Sequence, residues 1–249
     1  MHVGDPAGLG GSTEEGRYAT EKFRKMVSWI KDTKEAYTIL MGDLFDAVIK
    51  TSIGDLYNQE YNLKNAKEFL TEELKPIKDK ILGCISGNHE ERIEKSIGDN
   101  PVNELAYRLG IDYFPNWCAY LFLGVGEGYN KRDRRRPIFY TVFAHHLIGG
   151  GRTKGGKLNR VAILKDMALA DIYLGAHVHI KGAFKGKYIY PDVNNRKLRE
   201  QQQTYIATGS YMGYAGYSIK GQFDKPSTGS ARIRLNGEYE RGKDCHVSI

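Results

Sequence analysis

Cysteine is scarce: Cys84, Cys118 and Cys245 are the only three, far apart and without a CxxC pair. That argues against a disulfide framework and against a thiolate zinc site. No run of eighteen apolar residues occurs, which excludes a membrane-spanning helix. The opening MHVGDPAGLGG is Gly-rich rather than basic then apolar, so no signal peptide is expected. Repeats, low-complexity tracts and Pro/Ser linkers are also missing. What remains is an ordinary globular balance, 41% hydrophobic and 27% charged over 249 residues. A chain of this size buries roughly 70% of its unfolded surface and needs no covalent or metal staple to fold. The expectation is one soluble, cytoplasmic domain over residues 1–249.

Lysine and arginine (37) outnumber aspartate and glutamate (30), a net charge of +7. The excess favours anionic partners without choosing between nucleic acid, nucleotide and phosphoprotein.

Hydrophobic periodicity predicts helices over residues 13–34 (Phe23, Met26, Val27 and Ile30 on one stripe), 62–75, 90–97, 101–109 and 158–169. Short strands are expected at 36–41, 80–86, 118–125, 138–144 and 171–174, with further strand-like pieces after residue 181. Alternating β and α elements in the first half and mostly strands in the second point to an α/β fold: a four-layer α-β-β-α sandwich, two mixed sheets flanked by helices.

Five polar clusters follow these strands or open the chain: Gly42-Asp43-Leu44-Phe45-Asp46, Gly87-Asn88-His89-Glu90, His145-His146, Gly175-Ala176-His177-Val178-His179, and His2. Six of the seven histidines fall in them; only His246 stands outside. Ligands in layered α/β folds sit at the carboxyl ends of strands, so the clusters should converge. Carboxylate, amide and imidazole donors without thiolate suit Mn2+, Fe2+, Zn2+ or Ni2+. A carboxylate such as Asp43 can bridge two such ions, the arrangement that activates water against a phosphoryl group. His177 and His179 alternate on an extended segment, and reach different metals only if the backbone twists, a freedom Gly175 could supply.

GDLFD, GNHE, a strand-end histidine and GAHVH, in this order, resemble the calcineurin-like metallophosphoesterase superfamily, whose pattern is DxH, GDxxD, GNH[DE], H, GHxH. The resemblance spans His2 to His179. It implies that His2, Asp43 and His179 hold one metal, and that Asp43, Asn88, His145 and His177 hold the second. It also implies that His89 donates a proton to the leaving oxygen, with Asp46 as its orienting partner, and that a metal-bridging hydroxide attacks phosphorus. Two divalent ions, Mn2+ first, are the expected cofactors. Two departures stand out. Ala176 replaces a glycine, and Met1-His2 supplies only the end of the DxH motif, so its Asp and the preceding central strand are expected upstream of Met1.

His146 is read as substrate-side or structural. Asn88 has a competing role as helix cap, and Glu90 and Glu91 read as first-turn acids favoured by the helix dipole. The Gly-rich stretch 149–157 carries Arg152, Lys154 and Lys157 directly after His145, and is assigned to substrate phosphate. The run KRDRRR at 131–136 reads as a solvated hairpin tip, with a nucleic-acid contact as the alternative. Tyr205, Tyr211, Tyr214 and Tyr217 are read as strand tyrosines packed between sheets, with base stacking as the alternative. A phosphodiester of DNA, RNA or nucleotide is the expected substrate, ahead of a phosphomonoester or phosphoprotein. The reading from another class is a nucleic-acid-binding protein that keeps the fold without turnover.

Overall fold

The computed structural model describes residues 1–46, 48–49, 56–126, 137–214, 219, 224–238 and 242–249. The basic run 131–136 and Tyr217 lie outside the described residues.

Helix α1 (Glu14–Asp32) starts where Thr13 accepts the Gly16 N–H at 3.1 Å, and buries Ala19, Phe23, Val27 and Ile30 on one stripe. Asn62 caps α2 (Leu63–Leu74) in the same way through the Asn65 N–H, and Ala66, Leu70 and Leu74 turn inward. Between them strand β1 (Thr38–Met41) pairs parallel with β2 (Ile81–Ile85). Helix α3 (Asn88–Ile97) follows β2 and ends on Gly98, in the left-handed region at φ 75°. Helix α4 (Pro101–Leu109) has Asn100 as its cap and proline at its first turn. The two-residue β3 (Tyr113–Phe114) completes a three-stranded sheet, β1-β2-β3, parallel throughout.

The second sheet has the order β4-β5-β6-β8-β7, formed by β4 (Cys118–Val125), β5 (Ile138–His145), β6 (Ile172–Gly175), β7 (Lys181–Asp192) and β8 (Lys197–Thr208). Mixed pairing is confined to this sheet: β5-β6 and β6-β8 run parallel, β4-β5 and β7-β8 antiparallel. Helix α5 (Lys154–Ala162) joins β5 to β6, and β9 (Arg232–Leu235) pairs antiparallel with β10 (Cys245–Ser248).

Three cores give the layer order. The first lies between α1, α2, α4 and the parallel sheet (Phe23, Leu40, Leu70, Leu105). The second lies between the sheets (Tyr140, Val142, Ala144, Ile172, Leu174, Ile206, with Ile39 and Met41 against them). The third lies between the mixed sheet and α5 (Phe143, Val161, Tyr173, Tyr205). Helices, sheet, sheet and helix therefore stack in four layers. Along β5 the side chains alternate strictly: Tyr140, Val142 and Ala144 face the other sheet, and Phe143 faces α5.

A cavity of about 970 Å3 runs between the sheets, from Thr38–Met41 and α1 on one side to Leu121, Leu123 and Ile233 on the other. His2, Asp43, His146, His177 and His179 line it as well.

Several tyrosines are settled by packing. Tyr205 stacks between Tyr173 (4.8 Å) and Phe184 (4.6 Å), and Tyr211 meets Phe23 edge-on at 5.2 Å. Both rings are core, which leaves no face free for a base.

Candidate metal centre

The segment Met1–Val3 runs beside the chain leaving β1: the His2 N–H donates to the Asp43 carbonyl (3.0 Å) and the Val3 N–H to that of Leu44 (2.9 Å). The chain leaving β2 approaches the same point. Gly42 sits at φ 77°, and a Cβ there would lie 2.7 Å from His146 Nδ1; a Cβ on Gly87 would lie 2.3 Å from Asp43 Oδ1. Two bare backbones thus allow Asp43, Asn88 and His146 to crowd together.

Asp43 is the hub. Its Oδ1 accepts the His89 backbone N–H at 3.1 Å. Its Oδ2 is buried and faces four imidazole nitrogens: His146 Nε2 at 3.2 Å, His177 Nδ1 at 3.7 Å, His89 Nε2 at 3.9 Å and His2 Nε2 at 4.0 Å. The last three are beyond hydrogen-bond distance and the first makes no regular hydrogen bond, so Oδ2, His177 Nδ1 and His2 Nδ1 are buried polar atoms without a hydrogen bond. Each such atom costs about 1–3 kcal/mol. On the rim, His146 Nε2 is 3.2 Å from Asn88 Oδ1, and His2 Nε2 is 3.2 Å from His179 Nε2.

The backbone is strained at the same residues. His2 (φ 55°), Asp43 (47°), His177 (66°) and His179 (53°) all lie in the left-handed region. Each costs on the order of 1–3 kcal/mol. The side chains beside them hold them there: Val3, Leu44, Phe45, Val178 and Ile180 are buried at 4% exposure or less. At about 1.5–3 kcal/mol per buried side chain, packing outweighs the strain.

Protonation suits cation binding. Burial would raise the Asp43 carboxyl, but His146, His177 and His89 hold it well below the usual carboxylate range. Burial pushes the His2 imidazole down to about 4 and His179 well below its ordinary value, so both keep neutral lone pairs. An ionised carboxylate, imidazole nitrogens and an amide oxygen around orphaned buried atoms fit divalent cations. Two groups of donors share Asp43: His2, Asp43 and His89, and Asp43, His146 and His177.

A family model for calcineurin-like phosphoesterases matches residues 1–181. The chain belongs to the calcineurin-like phosphoesterase family. Metal-dependent hydrolysis of phosphoesters follows from that membership. No curated protein matches the chain. Among the described residues, no helix is long and apolar enough to cross a membrane.

The centre of this phosphoesterase differs from the sequence-based expectation at several positions. His146, rather than His145, reaches Asp43. Strand β5 runs through His145, which pairs with Cys118 and Gly175, and the alternation set by Ala144 turns residue 146 toward the other sheet. His145 turns the opposite way, with its ring 6.3 Å from Phe143 and Nδ1 accepting the Leu147 N–H at 2.7 Å. His146 is fully buried, its Nδ1 2.7 Å from the Met41 carbonyl, with Trp117 edge-on at 5.7 Å. The periodicity of β5 carried this signal in the sequence. His146→Ala is therefore expected to lose one bound metal equivalent and His145→Ala to keep both, as counted by Mn2+ titration calorimetry.

Asn88 is not the helix cap; Gly87 is, so cap and ligand roles do not compete. The twist at His177 and His179 lies in those residues themselves, not in Gly175, which ends β6. Gly175 is needed for space, because a Cβ would come within 2.7 Å of Leu147 Cδ1 and 2.9 Å of Val161 Cγ2. The stretch 149–157 is not an open loop. Thr153 accepts the Gly156 N–H at 3.1 Å and α5 starts at Lys154, which takes Gly155 and Gly156 into its first turn. Lys157 is buried with its ammonium 3.6 Å from Asp224, so its charge is already partnered. Arg152 and Lys154 are exposed.

Asp46 lies against His89: His89 Nδ1 is 2.5 Å from the Asp46 carbonyl and 3.4 Å from its Oδ1. Burial lowers the proton affinity of His89, but Asp46 and Asp43 more than offset it and shift its pKa upward. Asp43, 3.2 Å away, shifts His146 upward in the same way against its burial.

Sequence reasoning missed Glu90. It is completely buried and accepts three backbone N–H groups: Phe45 (2.9 Å), Gly87 (2.9 Å) and Asp43 (3.1 Å). This one carboxylate ties both ligand-bearing loops of the parallel sheet together.

Proposed function

We propose that this phosphoesterase takes two divalent cations, Mn2+ ahead of Fe2+, Zn2+ and Ni2+, and cleaves phosphodiesters of nucleic acid or nucleotides. The observation that carries the dinuclear reading is Asp43 Oδ2, a buried, unpartnered carboxylate oxygen between imidazoles arriving from opposite sides. His2, Asp43 and His179 would hold one ion. Asp43, Asn88, His146 and His177 would hold the other. When bound, such ions supply charge neutralisation at the phosphoryl oxygens and an acidified water.

The chain's own residues do the remaining work. Asp43 and Asn88 fix the donor set, and Glu90 holds their loops. His89 is gripped at Nδ1 by Asp46, which leaves Nε2 facing the cluster to give a proton to the leaving oxygen. Arg152 and Lys154, exposed at the start of the helix that follows His146, would meet a flanking phosphate of an extended substrate. The net charge of +7 favours such a polyanion.

The test is turnover with Mn2+ of bis(4-nitrophenyl) phosphate against 4-nitrophenyl phosphate. A higher kcat/KM on the diester is expected, and preference for the monoester sinks the diester reading. Turnover of neither ester, with nucleic-acid binding intact in His89→Gln, moves the protein to the class of binders. Arg152→Ala is expected to raise KM for an oligonucleotide about five- to tenfold, the worth of one charged hydrogen bond at an exposed site. An unchanged KM removes Arg152 from the substrate path.

A further inference from the structure

Asp46 carries more than one task. Its Oδ1 is 3.4 Å from His89 Nδ1 and 3.8 Å from His2 Nδ1, so a single oxygen faces two imidazoles. The torsion that turns a carboxylate plane is soft and broad, and contacts on one oxygen leave it free to swing. The other oxygen, Oδ2, accepts a hydrogen bond from Gln59 Nε2 at 3.0 Å. An ionised carboxylate only accepts, so the amide end that meets it must be the NH2.

Gln59 reaches Asp46 from outside the histidine cluster, on a segment fastened to the start of the chain. The Glu60 N–H donates to the Gly4 carbonyl at 2.9 Å. Gly4 lies at φ 117°, and a Cβ there would come within 2.8 Å of Gln59 Oε1 and 3.7 Å of Asp46 Cβ. The Gln59 amide therefore occupies the space left by the missing side chain of Gly4. Its neutrality matters as well. A lysine or arginine at this point would compete with His89 for the Asp46 charge, whereas an amide fixes the carboxylate plane and leaves its charge to the imidazoles.

We infer that Gln59 is a positioning residue for His89: by clamping Oδ2 it holds Asp46 Oδ1 toward the imidazole that protonates the leaving oxygen. The inference rests on the reading of His89 as proton donor. It makes a distinction that a merely structural role does not. Proton donation matters for a poor leaving group and little for a good one.

The experiment measures kcat and KM of Mn2+-loaded Gln59→Leu, Gln59→Asn and His89→Ala on phenyl and 4-nitrophenyl esters, as mono- and diesters. Calorimetric Mn2+ stoichiometry and heat unfolding are recorded on the same samples. The asparagine keeps the amide but is one methylene too short to reach. In both Gln59 variants, kcat on phenyl esters is expected to fall about tenfold, part of the ~10²–10⁴-fold that general acid catalysis contributes. The loss on 4-nitrophenyl esters should be several times smaller, with KM and two-ion stoichiometry as in the parent. Equal losses on both esters, no loss, or loss of a metal equivalent overturns the proposal. His89→Ala separates the two ideas. If it shows no leaving-group bias, the proton-donor reading fails and takes this inference with it. If it shows the bias and the Gln59 variants do not, the Gln59 proposal alone fails.

Discussion

Asp43→Asn is expected to lower kcat/KM at least about 10³-fold, some 4 kcal/mol of transition-state stabilisation. It should also bind fewer than two metal equivalents. The argument is local. Among the described residues, Asp43 supplies the only carboxylate oxygen within 4.0 Å of His2, His89, His146 and His177 together. Asparagine keeps Oδ1 as acceptor for the His89 N–H, so the loop should survive, but Oδ2 and the negative charge are lost. A carboxylate shared by two ions would serve both, which is why one substitution is expected to weaken both positions. Two bound Mn2+ in a calorimetric titration, with turnover within tenfold of the parent, would sink the shared-ligand assignment.

Glu90→Gln should show the opposite pattern. Its carboxylate accepts three buried N–H groups, from Asp43, Phe45 and Gly87, and a glutamine turns one accepting oxygen into a donor facing them. The expected cost is about 2–4 kcal/mol of folding stability in the metal-free protein, since hydrogen bonds to a buried charge are worth roughly 1.5–3 kcal/mol each and do not add fully. Burial pushes the Glu90 carboxyl up and the nearby Asp43 charge adds to it, while the Phe45 N–H opposes both. Urea unfolding checks the effect. A midpoint unchanged from the parent at equal m-value would show that the clamp contributes nothing. The pair of variants separates two roles: Asp43 is needed for metals, and Glu90 for the loops that present them.

The histidine-bearing motifs and most elements could be read before any coordinates. Hydrophobic periodicity placed α1, α2 and α4, and apolar runs placed β1, β2, β4 and β5. What escaped has physical causes. The choice between His145 and His146 turns on how far β5 continues, and pairing with Cys118 and Gly175 carries it one residue further than its apolar run. Glu90 looks like any acid in a first helical turn, because its donors at 43, 45 and 87 meet only in three dimensions. Gly155 and Gly156 suggest a loop by propensity, but the Thr153 cap and the burial of Lys157 and Val161 make the segment helical. Gln59 carries no motif at all; only its distance from Asp46 marks it.

The hub draws its groups from the two sheets that face each other across the central core. His2, Asp43 and Asn88 ride on the parallel sheet and its helices, whereas His146, His177 and His179 ride on the mixed sheet. A ligand held by both sheets binds only when they are docked, so its binding free energy is added to the docking equilibrium by mass action, about 2.7 kcal/mol at a hundred times its dissociation constant. On the proposed ligand set, free metal would add to the cohesion that the core between the sheets already supplies, so catalytic readiness and the docking of the two sheets would rise together.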